Sequence, residues 1–151
     1  MSSDPDDLRA IIMGDARKMY SETVIDHAMH PRNLGEMQIF DGFARITGPC
    51  GDTMEVWLKV RDNKITDIAF MTDGCGTSIA SGSMMTELAK GRGINVAIRI
   101  CQQDVLEALG GLPEESQHCA LLAADTLKAA IRDCIALQKE PWKKAYRKYQ
   151  V

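Results

Sequence analysis

Apolar and polar residues alternate along this chain in two rhythms, one helical and one extended. Leu8, Ile11, Ile12, Met19, Val24, Ile25 and Met29 recur at roughly helical spacing. Asp4-Pro5 reads as an N-cap followed by a first-turn proline. Gly14 reads as an interruption, and Pro31 as the stop, because the residue before a proline is pushed out of the helical region. Residues from Pro31 to Gly42 form a loop turned by Asn33 and Gly35. The rhythm then changes to period two. Phe43 to Thr47 is a short strand. Thr53 to Arg61 is a clearer one, with Met54, Val56, Leu58 and Val60 on one face and Glu55, Trp57 and Lys59 on the other. Asp62-Asn63 is a turn, and Lys64 to Met71 returns, so the three strands form an antiparallel meander. After Gly76 the period is helical again. Ile79, Met84, Met85 and Leu88 share a face, and the small residues Ala80, Ser81, Gly82 and Ser83 let a neighbour approach closely. Gly91-Arg92-Gly93 closes that helix. Ile94 to Ile100 fits either a helical turn or an extended connector, and Gln103 to Leu109 is a short helix ended by Gly110-Gly111. A loop runs from Leu112 to His118. Cys119 to Leu137 is the longest helix, with Leu122, Leu127, Ala130, Ile131 and Cys134 or Ile135 turned inward, and Pro141 interrupts it.

Composition narrows the picture. With 151 residues the chain is read as one domain over residues 1–151, large enough for a core of its own. An apolar fraction of 45% is ordinary for a globular protein. No apolar run approaches the roughly 20 residues that span a bilayer, so no membrane role is expected. The opening Met1-Ser2-Ser3-Asp4-Pro5-Asp6-Asp7 is neither a secretion signal nor an Arg-rich transit peptide, which points to the cytoplasm. A net charge of -3 gives no reason to expect nucleic-acid binding. Five cysteines, an odd number, argue against a disulfide framework and for ligands or nucleophiles.

Three of those cysteines sit in settings suited to chemistry. Cys50 lies in Gly48-Pro49-Cys50-Gly51-Asp52, a turn between strands with a carboxylate two residues on. Cys75 lies in Gly74-Cys75-Gly76 just ahead of a helix, and Cys119 follows His118 at the start of another. Both helix starts offer unpaired N–H groups and the positive end of the dipole, which favour thiolate over thiol. If the three sulfurs meet near Asp52 and His118, they can hold a metal or an iron–sulfur cluster. There is no C-x-x-C, so zinc-ribbon and thioredoxin patterns are excluded and spacing alone is a weak metal signal. Cys101 and Cys134 read as buried core thiols, the methionines as core fill, and His27 as a structural histidine.

The segments Tyr20-Ser21-Glu22, Val24-Ile25-Asp26-His27 and Pro31-Arg32-Asn33-Leu34-Gly35 resemble the opening of the IscU/NifU-type iron–sulfur cluster assembly scaffolds. So do Pro49-Cys50-Gly51-Asp52 and Gly74-Cys75-Gly76 with Ile79-Ala80-Ser81, Ser83 and Thr86-Glu87. His118-Cys119 with Leu122-Ala123 completes a match in order and separation from about Tyr20 to Ile131. The resemblance implies an α/β (α+β) fold in which a three-stranded antiparallel sheet packs against several helices, with a long C-terminal helix. It implies that Cys50, Cys75 and Cys119 converge at one exposed end. It implies assembly of a [2Fe–2S] cluster from iron and from sulfur given by a cysteine desulfurase, with an electron donor such as ferredoxin, followed by transfer to apo-proteins. Cys119 is implied as sulfur acceptor, with acceptance by another of the three left open. Asp52 is implied as a metal-ligating carboxylate that promotes release, and His118 as an alternative fourth ligand. Such a protein is a scaffold and not a turnover enzyme. It carries iron, with zinc as an occupant of the cluster-free form, and the cluster forms within one subunit or across a homodimer.

Two departures matter. Bacterial members often carry Leu-Pro-Pro-Val-Lys before the last cysteine, a site read by a dedicated Hsp70 chaperone. Here Leu112-Pro113-Glu114-Glu115-Ser116 puts two acids and a serine there, which argues against an Hsp70 partner and removes a cation that could steady a thiolate or persulfide. No cysteine-rich extension follows the last helix, so only the scaffold module of the larger multidomain form is expected. Two other functions compete. One is a zinc-dependent sulfurtransferase of SufU type, which has an insertion between the second and third cysteine motifs and lacks the histidine before the last cysteine. The other is an interaction domain held by structural zinc. The basic stretch Lys139 to Lys148, with Trp142, Tyr146 and Tyr149, reads as a solvated helix end or as a dock for an acidic partner.

Overall fold

Strands β1 (Gly42–Thr47), β2 (Thr53–Arg61) and β3 (Lys64–Thr72) form an antiparallel sheet in the order β1-β2-β3 in the computed structural model, which describes residues 19–142. The expected meander is therefore present. Asp62 and Asn63 both adopt left-handed backbone, with φ of 55° and 61°. That is the geometry a two-residue hairpin needs to match the twist of its strands. The register pairs Val56 with Phe70 and Leu58 with Ile68, so one face collects Met54, Val56, Leu58, Ile68 and Phe70, each no more than 1% exposed. Trp57 departs from expectation. It lies on the other face yet is buried, beside its cross-strand partner Phe43 with ring centroids 5.3 Å apart, and Phe40 at the end of the preceding loop packs on Phe43 in turn.

Helices α1 (Glu22–Met29), α2 (Gly76–Ala89), α3 (Ile94–Ala97), α4 (Gln102–Leu109) and α5 (Gln117–Lys139) complete the architecture, with a 3-10 turn at Glu114–Ser116. Four features differ from the sequence reading or settle what it left open. First, no helix runs unbroken into Glu22. Ser21 caps α1 by accepting the Val24 N–H at 3.1 Å, and its own hydroxyl donates to the Leu109 carbonyl, fastening the start of α1 to the end of α4. Residues 1–18, including the Asp4-Pro5 cap and Gly14, lie outside the described residues. Second, α5 begins at Gln117, so Cys119 sits inside its first turn and does not open it. Third, Ile94–Ala97 resolves as one helical turn. Fourth, Cys101 is not a core thiol. It is half-buried at the start of α4, where its N–H and Sγ both meet Asp104 Oδ2, at 3.0 and 3.3 Å. Cys134 is buried as expected, and none of the five cysteines is in a disulfide. Of the basic stretch, residues 143–148 and Tyr149 lie outside the described residues.

Helix α2 positions the site, and it is buried nearly all round because the sheet, α1, α4 and α5 all pack against it. Of the expected inward face only Met85 is fully buried; Ile79, Met84 and Leu88 are half-buried. The buried set is instead small or hydroxylated: Thr77, Ser78, Ala80, Ser81, Gly82, Ser83 and Thr86. A helix hemmed in on several sides leaves no room for large side chains. Gly82 shows the limit, since a Cβ there would fall on the Phe70 ring, which is itself fully buried. Gly82→Val is expected to cost about 3 kcal/mol, the upper range for overpacking. Urea unfolding measures it, and an unchanged midpoint would remove this contact from the account.

The seam between α1 and α2 is polar and buried. His27 Nδ1 lies 2.7 Å from Ser83 Oγ, which also accepts the Arg32 N–H at 2.9 Å, and Asn33 Nδ2 donates to Thr86 Oγ1 at 3.0 Å. His27 is thus a structural histidine. Burial, with the Arg32 charge behind it, holds His27 below its ordinary 6.5, against the opposing pull of Asp26 and Glu87. A depressed folded value means the unfolded chain takes up the proton first, so stability is complete above 6.5 and is lost as pH falls below it. The urea midpoint is expected to drop between about pH 7.5 and about pH 5.5. His27→Gln should flatten that drop, and an equal slope in the variant would assign the effect elsewhere.

Candidate metal and cluster site

The β1–β2 connection forms one wall. Gly48 N–H donates to the Asp52 carbonyl at 2.8 Å and Gly51 N–H to the Gly48 carbonyl at 3.0 Å, closing a tight turn with Gly51 at a φ of 85°. Cys50 stands exposed at its tip. Asp52, half-buried, turns inward, and its Oδ2 accepts from Ser78 Oγ at 3.2 Å. The loop after β3 is drawn to the same place. Thr53 N–H donates to Asp73 Oδ1 at 2.7 Å, and Gly74 N–H to Thr72 Oγ1 at 3.1 Å. A Cβ on Gly74 would meet the Ser78 hydroxyl and come within 2.9 Å of Asp52 Oδ2, so only glycine lets these two groups touch.

Cys75 is the N-cap residue of α2 and is exposed. Its sulfur lies 3.0 Å from Thr77 Oγ1, and the same oxygen is 3.4 Å from Cys119 Sγ. Ser78 Oγ is also 3.4 Å from Cys119 Sγ. His118 Nε2 lies 3.6 Å from that sulfur. One ligand atom each from Asp52, His118 and Cys119 fall within 4.8 Å of one another. The structure thus brings together four of the five expected residues: Asp52, His118 and Cys119 directly, and Cys75 through one shared hydroxyl. Cys75 and Cys50 both lie outside the 4.8 Å set, Cys75 linked to it by that hydroxyl and Cys50 only two residues from Asp52 on the same turn.

The two central thiols differ, which corrects the expectation that both helix starts favour thiolate. Cys75 is held below its usual value, first by the Thr77 hydroxyl and then, against some burial, by the N–H groups of Ser78 and Thr77 at the start of α2. Cys119 is pushed up. Burial dominates there, the Ser78 and Thr77 hydroxyls only partly offset it, and the nearby Cys75 and Asp52 charges add to it. At 1% exposure Cys119 is not on an exposed rim either; Cys50 and Cys75 are.

Thr77 and Ser78 were not among the candidates read from sequence. Their signal was nonetheless present: two hydroxyls directly after a Cys-Gly at a helix start, on the turn that faces whatever the cysteine faces. Chemically, the arrangement offers soft sulfur, borderline nitrogen and hard oxygen donors at short range, a set that suits zinc or iron. No helix among the described residues is long and apolar enough to cross a membrane.

Comparison with known proteins places the chain in a family. Over 116 residues the chain is 50% identical to the iron-sulfur cluster assembly scaffold protein IscU 1 of Archaeoglobus fulgidus, covering 76% of each. It is 44% identical over 119 residues to the iron-sulfur cluster assembly scaffold protein IscU of Escherichia coli, covering 76% of this chain and 92% of that one. The crystal structure of a NifU-like protein (N-terminal) from Brucella abortus shares the fold, with a TM-score of 0.62 at 24% identity over 77% of this chain and 94% of that one. Residues 19–141 match the family described as NifU-like N terminal domain, and the chain belongs to that family.

Proposed function

We propose that this protein is a scaffold on which a [2Fe–2S] cluster is built from iron and delivered sulfur and from which it passes to recipient apo-proteins. The observation that carries the reading is the mixed donor set: Cys119, His118 and Asp52 within 4.8 Å, with Cys75 joined through Thr77. The scaffold names of relatives at 50% and 44% identity support it. A storage site closed by four thiolates holds a cluster tightly. Cys50, Cys75 and Cys119 with one hard oxygen from Asp52 leave a weak corner, and a weak corner suits loading and unloading.

Sulfur arrives as a persulfide on a cysteine desulfurase. Cys119, which burial holds toward the thiol at rest, gives up its proton as it attacks the terminal sulfur; the donor's S–S bond breaks, a new S–S bond forms on Cys119, and the donor cysteine leaves and takes up a proton as thiol. Cys75, exposed and favouring thiolate, is the alternative first acceptor. Two such sulfurs need four electrons to become sulfide. Two ferrous ions supply one each in becoming ferric, and an electron donor such as ferredoxin supplies the other two. A reducing compartment such as the cytoplasm keeps the thiols available. Residues 1–151 act as one scaffold unit, on this reading. A second copy would approach Cys50 and Cys75, the exposed pair, if the cluster forms across a homodimer.

Anaerobic reconstitution with ferrous iron, cysteine and a desulfurase tests the proposal. The expected result is visible-region absorption with equal iron and sulfide bound. Tight zinc with no cluster would replace the scaffold by a zinc-dependent sulfurtransferase. Unfolding on chelation, followed by circular dichroism, would replace it by a structural zinc domain.

A further inference from the structure

Two buried hydroxyls lie between the donors. Thr77 and Ser78 occupy the first turn of α2, at 8% and 0% exposure. Thr77 Oγ1 reaches two sulfurs, Cys75 at 3.0 Å and Cys119 at 3.4 Å. Ser78 Oγ reaches a sulfur and a carboxylate, Cys119 Sγ at 3.4 Å and Asp52 Oδ2 at 3.2 Å. The donors come from three separate parts of the chain: the β1–β2 turn, the start of α2 and the start of α5. The hydrogen bonds that join Asp52, Cys75 and Cys119 run through these two oxygens.

We propose that Thr77 and Ser78 are positioning residues, the Thr77 hydroxyl fixing Cys75 beside Cys119 and the Ser78 hydroxyl fixing Cys119 beside Asp52. The inference rests on the scaffold reading above and deepens it. A hydroxyl has one proton, so Thr77 donates to one sulfur and accepts from, or merely touches, the other. Ser78 divides its proton between oxygen and sulfur. Both oxygens are fixed by helix backbone and by burial, so they restrict where the sulfurs and carboxylate can go. Once the sulfurs and carboxylate bind metal, each keeps lone pairs for an outer hydrogen bond, and donors in that position orient ligands and tune the metal. Ser83, on a later turn of the same helix, serves the α1 seam instead and bonds His27. The gap at Gly74 exists for the same contact, because any side chain there would displace the Ser78–Asp52 pair.

The test uses zinc and cobalt(II) as probes on the intact chain. Zinc affinity is measured by chelator competition for wild type, Thr77→Val, Thr77→Ser and Ser78→Ala. Valine keeps the shape and loses the hydroxyl; serine restores it. Thr77→Val and Ser78→Ala are each expected to weaken zinc by about tenfold, the lower range for loss of an outer hydrogen-bond partner. Thr77→Ser should return to within about twofold of wild type. The cobalt(II) thiolate charge-transfer band should move to lower energy in Thr77→Val, since a sulfur without its donor gives up an electron more readily. In an Asp52→Ala background the Ser78→Ala effect should shrink, which a purely structural role would not produce. Unchanged affinity and an unmoved band in Thr77→Val overturn the proposal, as does a failure of Thr77→Ser to rescue when thermal unfolding is unaltered. If wild type itself binds neither metal, the scaffold reading fails first, and the two failures are distinct.

Discussion

Cys119→Ser is expected to abolish cluster assembly while leaving the fold standing. The sulfur is 1% exposed and is surrounded by Thr77 Oγ1, Ser78 Oγ and His118 Nε2 at 3.4 to 3.6 Å. A serine oxygen placed there keeps hydrogen-bond partners, so little of the usual cost of an orphaned buried polar group applies. Stability should change by no more than about 1 kcal/mol. Chemistry should change far more. A serine hydroxyl cannot carry a persulfide and is a poor ligand for the metals that thiolates choose. Zinc affinity should fall by at least about 100-fold, since losing an outer partner alone costs up to that much. Cys101→Ser and Cys134→Ser provide the contrast. One thiol is bonded to Asp104 and the other is buried in α5. Both variants should assemble cluster normally. Ordinary reconstitution of Cys119→Ser, with iron and sulfide at wild-type levels, would remove Cys119 from the site.

Local chemistry explains why so much of the architecture was readable. The alternation of Met54, Val56 and Leu58 against Glu55 and Lys59 has one solution, a strand with a single main core face. Asp62-Asn63 tolerates left-handed backbone, and Pro31 and Gly110 punctuate the helices for equally local reasons. The failures share a different cause. Trp57 is packed against Phe43, its cross-strand partner on β1, a contact set by the pairing register rather than by its own strand's alternation. Helix α2 shows little amphipathic stripe because its neighbours surround it, so its buried hydroxyls looked like ordinary small residues. The case of Cys119 is sharpest. A helix start lowers a thiol's value locally, but burial, a tertiary property, raises it, and burial wins. Ser21 was legible in principle, since serine is among the strongest N-cap residues; the longer apolar periodicity before it masked the break. In the candidate site the cysteines and Asp52 were found by motif. The hydroxyls that join them belong to contacts between α2, α5 and a turn some 25 residues upstream, and no local pattern reports those contacts.

Asp52→Ala is expected to prolong the life of the assembled cluster. The carboxylate sits at the mouth of the β1–β2 turn, half-buried, with Oδ2 accepting from Ser78. As a ligand it would be the hard donor among soft ones, the contact that water and chelators displace most easily. It also adds a negative charge beside thiolates that already repel one another; its charge acts on Cys119 in that direction. Removing it leaves His118, close to the same sulfur, free to take the corner with a neutral nitrogen. Cluster lifetime in excess chelator should lengthen by roughly tenfold, which corresponds to about 1.4 kcal/mol of barrier. Transfer to an apo-protein should slow by a similar factor. Asp52→Asn separates the causes, since the amide oxygen still accepts from Ser78 but carries no charge. If Asn behaves like Ala, the charge controls release; if Asn behaves like Asp, the hard oxygen contact alone does. A lifetime that is unchanged or shorter in Asp52→Ala means that Asp52 does not open the site, and the weak corner must be sought at His118 or at Cys50.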